Sequence, residues 1–356
     1  MAYTDIDKPS DYFNTKIFTG DNSANNSVTA VGFQPNWIWF KNRNAANDHA
    51  LVDSVRGRKA LSTNNNSAEL TLNADKDFQS FDSDGFTVDV VEQLNSFNKS
   101  GDSLVSWNWK AGTSVSGNTG GSGTAKSYSG SVNTDAGFSI TSFTGNGTIG
   151  HTIPHSLNAI PSMFIIKKYG GSGDSTARDW DVYHQSLGNT KVIFLNTTAA
   201  HSTSSEYWND TTPTSSVITL GANDQINGNN NTYICYAFSE KKGYSKFGSY
   251  IGGGSNFPFI YTGFKPAFVL IKNTNATQSW RLVDNKRIGY NPNNIQLYPN
   301  LTNAESTSEY VVDIISNGFK VIATDAGVNG SGNTLIYMAF SSEPFTTSSG
   351  VPATAR

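Results

Sequence analysis

Pro35-Asn36-Trp37-Ile38-Trp39-Phe40-Lys41 returns twice along the chain, as Pro161-Ser162-Met163-Phe164-Ile165-Ile166-Lys167 and as Pro266-Ala267-Phe268-Val269-Leu270-Ile271-Lys272. Each copy is a proline, an apolar run and a lysine six positions later. A strand that is apolar on both alternating faces must be covered on two sides. The proline suits its start, where a missing N–H does no harm. Three such strands predict three buried layers.

Working outward, each copy is preceded by an aromatic residue and a Gly turn: Phe18-Thr19-Gly20, Phe143-Thr144-Gly145 and Tyr250-Ile251-Gly252, whose glycines stand 15, 16 and 14 positions before the proline. After it comes a short strand with an acid, Ala50-Leu51-Val52-Asp53, Trp180-Asp181-Val182-Tyr183 and Trp280-Arg281-Leu282-Val283-Asp284. A closing aromatic strand ends on Trp109, Phe238 and Phe340, at 74, 77 and 74 positions from the proline. Order and spacing together predict three tandem units, at 11–112, 138–243 and 244–345. The stretch 113–137 reads as a Gly/Ser-rich linker, and 346–356 as an extended polar tail.

In the first unit about eight strands are expected: Tyr12–Phe18, Val28–Phe33, Trp37–Lys41, Ala50–Asp53, Lys59–Thr63, Glu69–Leu72, Phe86–Val91 and Ser103–Lys110. No stretch keeps an apolar period near 3.6, so no helix is predicted. Short strands punctuated by Asn and Gly give an all-β chain of three tandem β-sandwich, jelly-roll-like repeats. Trp107 and Trp109 alternate with Ser106, Asn108 and Lys110, a pattern of one dry and one wet face. The units are expected to form a bent row with 113–137 as its joint, the abutting second and third packing more closely.

Composition bounds the function. The 356 residues carry a net charge of −3 and only 15% charged side chains, with no basic stripe for nucleic acid. No apolar run is long enough for membrane insertion, and no secretory leader is visible at the start. Cys235 lies in an apolar strand and reads as a core residue, while the repeated lysines are expected to reach water. Asp53 and Asp284 are expected to accept backbone N–H bonds in loops.

Groups for catalysis do not converge in the sequence. His151 and His155 could share a strand face, but Pro154 between them opposes the helical zinc spacing, and no metal site is expected. Asp82-Ser83-Asp84-Gly85 has Gln93 where a calcium loop needs its last acid. There is no nucleophile elbow, so no enzyme and no cofactor are expected. The polar stretch Ser204 to Asp210 has no counterpart in the other units. Tyr207, Trp208 and Asn209 are its candidate glycan-binding residues, since a ring among amides suits sugar stacking; alternatively Trp208 fills a gap beneath its own loop.

The segments from Gly32 to Arg43, Val105 to Gly112, His151 to Leu157 and Gly243 to Tyr250 resemble a repeat of virion-associated proteins from marine tailed bacteriophages, including cyanophages. The resemblance runs from Tyr12 to Phe345. It implies a virion structural protein made in the host cytoplasm: a tail fibre, spike or adhesin-like module for host attachment through surface glycans. Alternatives are a capsid decoration or head-fibre protein, or a free glycan-binding or glycan-cleaving protein. Expected partners are other virion proteins, host glycan and further copies of the chain.

Overall fold

The computed structural model describes residues 3–171, 178–293, 295–308 and 311–352. Nearly every element is an antiparallel strand, in three large and three small sheets. Each large sheet has the same four strands side by side. An opening strand (Phe13–Thr19, Phe138–Thr144, Ser245–Ile251) borders the closing strand (Ser103–Trp109, Asn231–Phe238, Thr334–Pro344). The closing strand borders the post-proline strand (Trp37–Asn42, Met163–Gly171, Phe264–Asn273), which borders the short strand (Ala50–Asp53, Trp180–His184, Arg281–Asp284). Register agrees too: Trp37 faces Trp109 and Asp53, Met163 faces Phe238 and His184, and Phe268 faces Phe340 and Asp284.

A three-stranded sheet packs over each large one, making a sandwich. Ile38 and Phe40 point into the first, against Phe78, Phe86 and Phe97. Phe164 and Ile166 meet Ile153 and Ile218 in the second, and Val269 and Ile271 meet Phe319 and Val321 in the third. The alternate residues point the other way, into a fourth core shared by all three sheets. There Trp37 stacks on Tyr236 with ring centroids 4.8 Å apart, Trp109 meets Phe268 at 5.6 Å, and Phe238 meets Phe340 at 5.9 Å. The double-sided apolar run therefore serves two cores, one within its unit and one between units.

That shared core overturns the bent row. The three sandwiches stand as wedges of a closed triangle, each large sheet turned toward the centre, and the first unit is packed into it as deeply as the other two. The expected linker 113–137 is no joint. Thr113–Asn118 and Ser127–Asn133 form a hairpin that extends the second large sheet beside its opening strand, and Gly120–Gly121 pairs with His151–Pro154 of the small sheet. Its Ser and Gly residues suit an exposed edge, where packing asks little of a side chain.

Other expectations also change. Ser106 and Asn108 are buried, not wet; they face their own sandwich, where Asn108 Nδ2 donates to the carbonyls of Asn14 and Ser106. The expected strand Val28–Phe33 is Asn26–Val28, because Ala30 and Gly32 take positive φ in a turn. Phe78–Asp82 is a strand the reading missed. Among the described residues three single α-helical turns occur, at Ser205–Trp208, Asp224–Asn227 and Ala326–Asn329, and a 3-10 turn at Pro9–Asp11. The start of the tail, read as extended, folds back through a Thr346 to Pro352 bridge, and Asp7 accepts bonds from Ser348.

Candidate functional site

The converging charged and polar chemistry lies at the three seams of the triangle. At the seam of units one and two, Asp53 ends its strand fully buried. Its Oδ1 accepts from the N–H groups of Val55 and Arg56, as expected of a loop-holding acid. Its Oδ2 accepts from Arg56 Nε at 2.7 Å and, across the seam, from the Tyr236 hydroxyl at 2.7 Å. At the seam of units three and one, Asp284 repeats this with Arg287 Nε at 2.6 Å and Trp107 Nε1 at 3.1 Å. Unit two places His184 at that position. The third unit's counterpart of Tyr236 and Trp107 is Met338, which offers no donor, and His184 instead donates from Nε2 to the Tyr337 carbonyl at 3.1 Å. Leu187 stands where the others have arginine, so the change of acid to imidazole removes the need for a buried cation.

The other end of each seam is stitched by the lysines. All three are wholly buried, against the expectation that they reach water. Lys41 Nζ donates to the carbonyls of Asn47 and Thr302, Lys167 to those of Asn66 and Arg178, and Lys272 to those of Thr198 and Asn273, one carbonyl in each case belonging to the neighbouring unit. Burial pushes each ammonium down to about 8. Directly across the strand pair, His49, Trp180 and Trp280 donate ring N–H groups to Tyr298, Ser62 and Phe194 carbonyls of the neighbour. Arg43 adds a two-bond ion pair to Glu305 at the seam of units three and one.

A further recurring residue escaped the reading. Asn98, Asn227 and Asn329 each lie eleven positions before the closing aromatic residue, and that constant offset was the available signal. Each is buried, and its Oδ1 accepts from the N–H following the turn glycine: Asp21, Asn146 and Gly253. A Cβ on Gly20, Gly145 or Gly252 would lie 2.2, 2.5 or 2.1 Å from the carbonyl oxygen just beyond that asparagine. The glycine is needed for this close approach.

The remaining candidates sit in cores or shape turns. Trp208 is 1% exposed, with Nε1 donating to the Lys191 carbonyl, and Tyr207 is buried beside it. Asn209 caps the helical turn in the left-handed region. Their tryptophan has no free face for a sugar, so it fills the gap beneath its loop. His151 bonds Asn227 and Thr119, and His155 bonds Thr214 and Leu157; they act separately. Asp84 receives the N–H groups of Ala30 and Gly32, shaping a turn. Cys235 lies in the second sandwich, where burial raises its thiol. Among the described residues no three His, Cys, Asp or Glu side chains gather as a metal site, and no helix is long and apolar enough to cross a membrane.

Four histidines set the acid limit. His49 and His184 accept at Nδ1, from Trp39 Nε1 and the Ser186 N–H, while donating from Nε2; His155 and His151 likewise each keep one accepting nitrogen. A second proton would break these bonds. Burial lowers all four, His184 to about 4 and His49 well below its usual range. Their folded values lie below the unfolded value near 6.5. This stability is therefore full above pH 6.5 and lost as pH falls toward 4. Asp181, buried and raised by desolvation, opposes this with one proton, since its share is full at low pH and lost as pH rises. We expect the urea midpoint to fall steeply from pH 6.5 to 4.5; a level profile across that span would contradict the assignment.

Asp181 itself makes no hydrogen bond at either oxygen. It occupies the place of Ala50 and Arg281, facing its own sandwich. Replacing Asp181 with valine removes an unsatisfied group and suits a strand, so the folded state should gain about 1–3 kcal/mol. A chemical melt showing loss instead would mean that the carboxyl has a partner.

Comparison with curated proteins and with solved structures finds no match for this chain. One family model spans residues 8–344, all three sandwiches at once. The chain belongs to that family, described as a domain of unknown function, DUF7483.

Proposed function

We propose that the protein is a structural component of a tailed-bacteriophage particle, a tail-fibre, spike or adhesin-like module that contacts the host surface through glycans. One observation carries the reading: the buried acids, lysines and histidines of the seams are engaged in joining one unit to the next, leaving a rigid body faced with Asn, Ser and Thr loops. Such loops on a stiff scaffold suit recognition. The resemblance to marine phage proteins supplies the setting.

A second reading rests on the triangle. A body with near-threefold symmetry suits a threefold position on a capsid, as a decoration protein. Gold-labelled antibody on intact particles separates the two. Label at the tail, with the isolated protein adsorbing to host cells, supports the first. Label on heads with no adsorption supports the second, and unlabelled particles would overturn both.

A further inference from the structure

The three small sheets are built alike, so a difference in how their edges end marks something other than folding. Val28 faces Phe86, Ile153 faces Ile218 and Ile260 faces Phe319 as equivalent inward pairs. The residues flanking Val28, Ile153 and Ile260 belong to the outer face. They are Ser27 and Thr29 in unit one, Thr152 and Pro154 in unit two, and Phe259 and Tyr261 in unit three.

Units one and two keep this edge blunt. Ser27 and Thr29 are small and polar, and in unit two the strand Gly120–Gly121 pairs along His151–Pro154 and covers it. An uncovered edge strand of bulky apolar residues is a template for another strand. Unit three has such an edge. Phe259–Tyr261 pairs on one side only, with Gly318–Val321, whereas the sheet's far edge, Val312–Ile315, is engaged by Asn291 and Asn293. Phe259 is 48% exposed and Tyr261 59%.

The backbone of this edge is open as well. In an antiparallel pair a strand turns its N–H and C=O groups toward the partner at every second residue. The Val321 N–H donates to the Pro258 carbonyl and the Thr262 N–H to the Asn317 carbonyl, so Pro258, Ile260 and Thr262 face the sheet. The N–H and C=O groups of Phe259 and Tyr261 therefore face away, and no hydrogen bond among the described residues meets them there. Pro258 has its nitrogen on the inner side and withholds no donor from the open one.

We propose that this edge pairs with the same edge of a second copy of the chain, antiparallel about a two-fold axis at Ile260, joining two sheets of three strands into one of six. The register is self-complementary. Phe259 of each copy faces Tyr261 of the other, so every outward N–H meets a carbonyl and the aromatic side chains pair across the axis. Charge permits it. Lys320 stands beside Phe259 and across from Asp313, so the face has no net charge. The axis sets the two copies of Lys320 three strands apart, about 14 Å, beyond the screening length of about 8 Å. A two-fold contact closes on itself and stops at two copies. So small an interface makes the dimer weak, half-formed on the order of 10 μM.

Sedimentation equilibrium of the full chain, from about 1 μM to about 500 μM, reads the pairing. The mass should rise from 38.4 kDa toward twice that value. Phe259→Ser with Tyr261→Thr installs the residues with which unit one already folds. It should weaken the dimer at least about tenfold and leave the urea midpoint at about 1 μM unchanged. A charge exchange tests the register. Phe259→Glu alone and Tyr261→Lys alone should each lose the dimer. Combined in one chain they set opposite charges face to face across the axis, and the dimer should return, now weakened by salt. The proposal is overturned by a parent that keeps the single-chain mass throughout, or by growth beyond two copies. It is equally overturned if the first variant pairs like the parent, or if the combined charges do no better than either alone.

Discussion

Replacing Asp53 with alanine should cost about 3–5 kcal/mol of folding stability, the cost of leaving a buried charge without its partner. Arg56 has a side chain only 2% exposed; it would lose the carboxylate it meets at 2.7 Å and keep only that of Glu69, at 3.4 Å. The Tyr236 hydroxyl would lose its acceptor at the same time, and two loop N–H groups theirs. Asp284→Ala should behave alike through Arg287 and Trp107. Restoring shape and charge together is a sharper check. Asp53→Ala combined with Arg56→Leu, the arrangement unit two already uses at Leu187, should recover much of the loss. Urea melts of the three variants read this directly, and an Asp53→Ala midpoint equal to the parent would show that the seam carries no strain of charge.

The second large effect concerns independence of the units. Residues 244–345 expressed alone should fail to fold, or associate at once. Excision would expose Phe247, Phe268, Leu270, Trp280, Ile336, Met338 and Phe340, all now in the shared core. An apolar face of that extent is far beyond what a soluble monomer tolerates. The intact chain should accordingly unfold in one transition, by fluorescence and by circular dichroism alike. A monomeric 244–345 fragment with a sharp melt of its own would mean that the central core is ornamental.

Much of the architecture was written in the spacing. The runs after Pro35, Pro161 and Pro266 announced strands covered on both sides, and the closing aromatic residues fell in register with them. What covers the second side was not legible. Trp37 and Trp39 look the same in a sequence whether they meet a sheet of their own unit or a neighbouring unit. For that reason the alternation of Trp107 and Trp109 with Ser106 and Asn108 suggests a wet face, whereas Ser106 and Asn108 both point into a sandwich interior, where Asn108 Nδ2 finds two carbonyls and its Oδ1 finds no partner. Composition misled at 113–137, where Ser and Gly suggest slack but an existing strand edge organises them. The polar neighbours of Tyr207 and Trp208 suggest a sugar platform, but polar neighbours do not expose a ring, and both side chains are buried. The seams were hidden for a different reason. His184 does the work of Asp53 and Asp284 with different chemistry, and comparing letters pointed instead to Asp181, which faces the opposite way.

Threading the wedges on one backbone frees the assembly from mass action. A trimer of separate wedges would come apart on dilution and melt at a temperature that depends on its concentration. Here each neighbour is always present at the effective concentration its tether sets. The same arrangement lets the three faces drift apart in detail, since a change in one wedge is not copied into the others.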